Sequence, residues 1–163
     1  MLTKRKYLIE YPTLSQTNLM ENIIVKDIVQ IYLREIEEGI ERKIIRVFTN
    51  NNTICYYTEK KKNSELISNE KKQIITACEY LKFILEALTS INEIKKYKLC
   101  FTYENKNFEL DVYPKHEEEA TLNVEFEYDG KDAMLPPFIS IIKEITNNRK
   151  YKDSSLAQNN IIK

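Results

Sequence analysis

Lysines and carboxylates recur two residues apart in strand-like segments, on the phase where a half-buried strand is ordinarily apolar. The segments are Tyr97-Lys98-Leu99-Cys100-Phe101, Phe108-Glu109-Leu110-Asp111-Val112 and Val124-Glu125-Phe126-Glu127-Tyr128. Side chains alternate along a strand, so Lys96 shares a face with Lys98, Glu109 with Asp111, and Glu125 with Glu127. A single such segment is an amphipathic strand with one wet face, and cross-strand ion pairs on an open sheet are the structural alternative for several. Several strands carrying both signs in one phase point instead to a wet, charged interior. Ammonium groups there would hold a polyanion, and carboxylates would hold its metal ions. Hard oxygen donors suit Mg2+ or Mn2+ better than zinc.

The elements that must position these residues are legible in outline. Lys4 to Ile9 reads as a strand ended by Tyr11-Pro12, and residues 13–26 have room for a short helix. Asp27 to Arg34 alternates as a strand, followed by a turn at Glu37-Glu38-Gly39. Arg42 to Phe48 and Thr53 to Lys60 flank Asn50-Asn51-Asn52, a hairpin tip because Asn tolerates left-handed φ. A basic loop from Lys60 to Ser64 leads to a short strand, Glu70 to Ile75. Thr76-Ala77-Cys78-Glu79 is a capping box, and Ala77, Leu81, Ile84, Leu85 and Leu88 form the expected buried stripe of the helix behind it. Strands then follow at Ile94 to Tyr103, Asn107 to Tyr113 and Leu122 to Tyr128, the first two joined by Glu104-Asn105-Lys106. Pro136-Pro137 precedes an expected short helix over Phe138 to Lys143, and the polar tail, from Tyr151 or about residue 152, is expected to be poorly ordered, with Leu156-Ala157 as its candidate docking point. Mostly consecutive strands favour an α+β fold built on an antiparallel eight-stranded β-barrel with a few flanking helices, one domain over residues 1–163.

Composition narrows the function classes. Lys+Arg and Asp+Glu balance at 25 each, so no global charge draws the chain to nucleic acid, and specific nucleic-acid binding is not expected. Only two glycines are present, and there is neither a GxxxxGK[ST] nor a GxGxxG phosphate loop. The three cysteines, Cys55, Cys78 and Cys100, form no CxxC and read as reduced thiols. No apolar run is long enough to span a bilayer, and MLTKRKYLIEYP is not a secretory signal, so a cytoplasmic location is expected. His116, the sole histidine, lies in the acidic stretch Pro114 to Glu119 and reads as a solvated surface residue; no Ser/His/Asp constellation accompanies it. The eleven tyrosines fall mostly at strand-core positions rather than on a stacking platform.

Taken in order, the segments Arg5-Lys6-Tyr7-Leu8-Ile9, Gln30-Ile31-Tyr32-Leu33, Tyr56-Tyr57-Thr58-Glu59-Lys60, Ile75-Thr76-Ala77-Cys78-Glu79-Tyr80, Ile94-Lys95-Lys96-Tyr97-Lys98, Phe108 to Val112, Val124 to Glu127 and Leu135-Pro136-Pro137-Phe138 resemble a CYTH domain along almost the whole chain. This is the triphosphate-tunnel superfamily of class IV adenylyl cyclases, thiamine triphosphatases and RNA triphosphatases. The closest resemblance is to CYTH domains found C-terminal to some P-loop ATPases. The resemblance implies a triphosphate-type ligand gripped by Lys6, Lys60, Lys96 and Lys98; the family's Arg-x-Arg pair aligns with Lys43-Ile44-Ile45, with Arg46 or Arg42 as the substitute for its second arginine. It implies Mg2+ or Mn2+ held by Asp111, Glu125 and Glu127, with Glu70 and Glu109 as further carboxylates. Lys6, Glu125 and Glu127 are then the catalytic expectation, and a homodimer is left open. The family's opening Glu-x-Glu-x-Lys reads Leu2, Lys4 and Lys6 here, and its Glu-x-Glu before the helix reads Glu70-Lys71-Lys72. Those exchanges make the expected tunnel more cationic and a poorer metal site. The implied function is therefore a triphosphate-binding domain with weakened or lost metal-dependent triphosphatase activity; an active triphosphatase and a non-catalytic phosphoinositide or protein scaffold are the alternatives.

Overall fold

A computed structural model of the chain describes residues 2–62, 70–87, 92–114, 120–153 and 155–156. Expectations for His116, for the far end of the basic loop, for Leu88 and for the tail beyond residue 156 lie outside the described residues. The chain divides into two compact units, one of residues 1–26 and 96–148, the other of residues 27–95 and 149–163.

The elements are β1 (Leu2–Ile9), α1 (Leu14–Thr17), β2 (Glu21–Tyr32), β3 (Ile40–Thr49), β4 (Asn52–Lys61), β5 (Lys71–Ile75), α2 (Ala77–Glu86), β6 (Asn92–Tyr103), β7 (Lys106–Val112), β8 (Ala120–Glu127), β9 (Ile141–Glu144) and a 3-10 turn, Arg149–Tyr151. The strands hydrogen-bond in the order β5-β4-β3-β2-β6-β7-β8-β1-β9. That order is linear and holds nine strands, so the expected eight is corrected and no ring closure is seen among the described residues.

In the first unit β7 lies between β6 and β8, and β1 between β8 and β9, all antiparallel. Its core is the apolar phase of these strands: Ile9, Phe101, Phe108, Leu110, Leu122, Val124 and Phe126, closed by Met20 and Ile139. The β6–β7 hairpin turns on Glu104 and Asn105 with φ of 47° and 60°. Two consecutive left-handed residues are what a type I′ turn needs to match strand twist. The helix expected over Phe138 to Lys143 is instead a turn after the prolines followed by β9, because Ile141 and Ile142 extend along the edge of β1. β-Branched pairs favour this pleated edge over a helix that could bury no stripe.

In the second unit β3 and β4 form the hairpin expected over the Asn run, with Asn50 and Asn51 at φ 48° and 65°. Thr76 and Glu79 form the capping box: Glu79 N–H donates to Thr76 Oγ1, and Thr76 N–H donates to Glu79 Oε1, both at 3.1 Å. The helix keeps Ile84 of the expected stripe on the core but turns Leu81 and Leu85 outward. Tyr80, Phe83, Ile84 and Ala87 pack on Val29, Ile31, Ile44, Cys55 and Ile75, whereas Leu81 and Leu85 are more than half exposed. On this face the Phe83 ring stacks on Tyr57 of β4 with centroids 5.1 Å apart, an aromatic contact that the leucine face lacks.

Candidate functional site

Strand register assembles the charged residues of the first unit on one face. Lys98 stands opposite Asp111, which stands opposite Thr121. One step along, Cys100 faces Glu109 and Glu109 faces Asn123, which pairs with Lys6 on β1. Continuing along β1, Lys4 is opposite Glu125 and Leu2 opposite Glu127. Lys4, Lys6, Lys96, Lys98, Glu109, Asp111, Glu125 and Glu127 thus share the face opposite the apolar core. Lys143 on β9, opposite Leu8, joins the same face, which mixes ammoniums with carboxylates.

Ion pairs knit this face together. Lys96 Nζ lies 3.2 Å from Asp111 Oδ2, and Lys98 Nζ lies 3.3 Å from Asp111 Oδ1 and 2.5 Å from Glu109 Oε2. The side chains of Lys96 and Asp111 are only 8% and 4% exposed, so each charge depends on the other for compensation. Lys4 Nζ approaches Glu125 Oε2 at 3.9 Å in a much more exposed pair. Asp111 Oδ1 is at ion-pair distance from Lys98 but outside hydrogen-bond geometry, and neighbouring Thr121 Oγ1 is also buried without a hydrogen bond among the described residues. Buried polar atoms are normally satisfied. With Asp111 Oδ1 beside the Lys98 ammonium, the Thr121 hydroxyl marks the place on the face with hydrogen-bonding capacity to spare. Thr121 is not among the residues that the sequence pattern singles out, although it lies in phase with Glu125 and Glu127 on β8.

Lys6 is fixed through its backbone. Its N–H donates to Thr146 Oγ1 at 3.0 Å, and its carbonyl accepts from Ile145 N–H at 2.8 Å. The residues following β9 thereby set where β1 sits and, with it, the positions of Lys4 and Lys6.

The second unit has a cationic face of its own. Lys43 is opposite both Tyr32 and Thr58, Lys60 is opposite Glu41, and Lys72 is opposite Thr58. Lys60 Nζ lies 3.6 Å from Glu41 Oε1, and Lys72 Nζ sits 4.3 Å above the Tyr56 ring, a cation–π contact. Buried Gln30 donates from Nε2 to Asp153 Oδ2 at 3.0 Å, which docks the segment after the 3-10 turn; Tyr151 and Leu156 are buried rather than frayed. Arg46 does not join Lys43 and Lys60. It points to the α2 side of the sheet, where Asp27, Arg46, Phe48 and Thr53 line a shallow pocket. Arg42 lies on that side too, donating to Tyr57 Oη at 2.9 Å and the Arg34 carbonyl at 3.1 Å. Glu70 stands just before β5, outside any strand.

The expected Mg2+ or Mn2+ finds a poor donor set. Among the described residues no three His, Cys, Asp or Glu side chains converge to hold a metal ion. Asp111 is flanked by two ammoniums and Glu125 by one, so a divalent cation against either would meet like charge at short range. Nor is any helix among the described residues long and apolar enough to cross a membrane.

Comparison with known proteins places the fold. No protein-family model matches the chain, and no curated protein matches it. Solved structures do. Two crystal structures of NE1496, described as a hypothetical protein in one and an inorganic triphosphatase in the other, align over 96% of this chain at 20% identity, with TM-scores of 0.63 and 0.66. They are covered over 97% and 94% of their own lengths. The PH1819 protein from Pyrococcus horikoshii OT3 aligns over 81% of each chain at 14% identity with a TM-score of 0.54. The chain therefore shares the fold of these structures.

Proposed function

We propose that this protein binds a triphosphate-bearing anion, tripolyphosphate or a nucleotide, through the lysines of its charged sheet faces, with metal-dependent triphosphatase activity weakened or lost. The observation that carries this is the Lys96–Asp111–Lys98 arrangement, in which one buried carboxylate holds two ammoniums beside unsatisfied Thr121. Lysines are point charges able to engage phosphate oxygens from many directions. Asp111 keeps them in place, and Lys6 on β1 adds a third cation to the same face. Lys43 and Lys60 form a second phosphate-contacting set on the other unit, to be tested by itself. Tripolyphosphate comes first among ligands because the similar structure NE1496 is described as an inorganic triphosphatase.

Weakened turnover is supported by the donor set. In-line attack by a metal-activated water needs carboxylates free to hold the ion. Here Asp111, Glu109 and Glu125 each have a lysine within ion-pair distance. Where turnover survives, Glu125 and Glu127 are the carboxylates that would support it, with Lys6 neutralising charge on the phosphate.

The test is phosphate release from tripolyphosphate with and without Mg2+ or Mn2+, alongside thermal stabilisation by the same anion. Stabilisation with release near background is expected. Rapid metal-dependent release that disappears in Glu125→Gln/Glu127→Gln would establish the hydrolase instead.

A further inference from the structure

We infer that the anion is taken free of metal, and that Mg2+ opposes its binding instead of supporting it. The inference rests on the binding function proposed above and concerns which form of the ligand the first unit accepts.

The charged face already holds cations where a metal complex would need to place one. Both oxygens of Asp111 face ammoniums, Oδ2 toward Lys96 at 3.2 Å and Oδ1 toward Lys98 at 3.3 Å. Glu109 is held by Lys98, and register sets Lys4 directly across from Glu125. Leu2, not a carboxylate, is the cross-strand neighbour of Glu127. A phosphate chain arriving with Mg2+ on its oxygens would bring that dication against Lys4, Lys96 and Lys98. The same chain arriving bare would offer its oxygens to those lysines and an acceptor to the Thr121 hydroxyl. Mg2+ and the lysines compete for the same phosphate oxygens, so metal in solution withdraws ligand from the protein.

The experiment is calorimetric titration of the full chain with sodium tripolyphosphate, once in EDTA and once in excess Mg2+. Binding in EDTA is expected, with the apparent Kd weakened about tenfold or more by Mg2+, a change of about 1.4 kcal/mol. Equal or tighter binding in Mg2+ overturns the inference and leaves the binding function standing. No binding in either buffer by a chain with native circular dichroism overturns the binding function and the inference together. Lys4→Glu supplies a second reading, because it replaces an ammonium with a carboxylate beside Glu125. Its Mg2+ penalty should shrink or reverse; an unchanged penalty removes Lys4 from the explanation.

Discussion

Lys43 and Arg46 lie three residues apart on β3 and consequently point to opposite sides of the sheet, Lys43 beside Tyr32 and Thr58, Arg46 beside Val29 and Cys55. Charge reversal at the two positions should therefore separate. Lys43→Glu should reduce the thermal stabilisation produced by tripolyphosphate, and Arg46→Glu should leave the shift intact. A larger loss from Arg46→Glu would move the anion to the α2 side.

The buried and exposed ion pairs should differ in their contribution to folding. Lys96→Met leaves Asp111 with Lys98 alone, and unfolding in urea should show a loss toward the lower end of about 3–5 kcal/mol. Lys4→Ala, which breaks an exposed pair at 3.9 Å, should cost less than about 1 kcal/mol. Lys96→Met combined with Asp111→Leu should recover much of the first loss, since no charge is then stranded.

Restoring carboxylates on β1 should create a metal site. Glutamates at positions 2 and 4 would stand directly across from Glu127 and Glu125. The Leu2→Glu/Lys4→Glu variant should bind Mn2+ measurably by calorimetry and show more metal-dependent phosphate release than the parent. Unchanged Mn2+ binding would show that the four positions do not converge.

Much of this geometry is legible in the amino-acid sequence, because the decisive signal is period two. Lys96 with Lys98 and Glu109 with Asp111 share faces by strand geometry alone, and register between strands joins those faces into one. The capping box at Thr76 and the Asn hairpin are equally local and equally clear. The features that sequence pattern misses depend on partners remote along the chain. Tyr80, Phe83, Ile84 and Ala87 recur at helical spacing just as the leucines do, so periodicity alone offers both faces, and Phe83 stacks on Tyr57 from the one that is used. β9 exists because the edge of β1 is available to Ile141 and Ile142, a fact of topology. Arg46 departs from its expected place through a one-residue ambiguity of phase, which in a strand reverses the side chain completely. β2 begins at Glu21 rather than Asp27 because Glu21 to Lys26 extends the strand beyond its pairing with β3.

The two faces of α2 should respond differently to truncation. Tyr80→Ala removes a buried ring and should cost about 3–5 kcal/mol, the range for large aromatic deletions. Leu81→Ala, at a position 53% exposed, should change stability by less than about 0.5 kcal/mol. Thermal denaturation of the two variants decides between the observed helix face and the leucine stripe.

Thiol reactivity should report burial. Ellman's reagent should modify exposed Cys78 quickly and Cys55 and Cys100 slowly, all three reacting once the chain is unfolded. Burial pushes the Cys55 and Cys100 thiols up, Arg46 and Lys26 respectively opposing it, so less of the reactive thiolate is present at a given pH. The unfolded chain then sheds these protons before the folded one does, and their contribution to stability declines as pH rises past the unfolded thiol value.

The mixing of ammonium and carboxylate on the first unit's charged face has a kinetic consequence. Carboxylates set among the lysines offset much of the field that would draw a polyanion from a distance, so encounter should be weakly steered and its rate only weakly dependent on ionic strength. Ligands would be sorted after arrival, by which of them can exchange places with the protein's own carboxylates. Selectivity would then reside in how long a ligand stays.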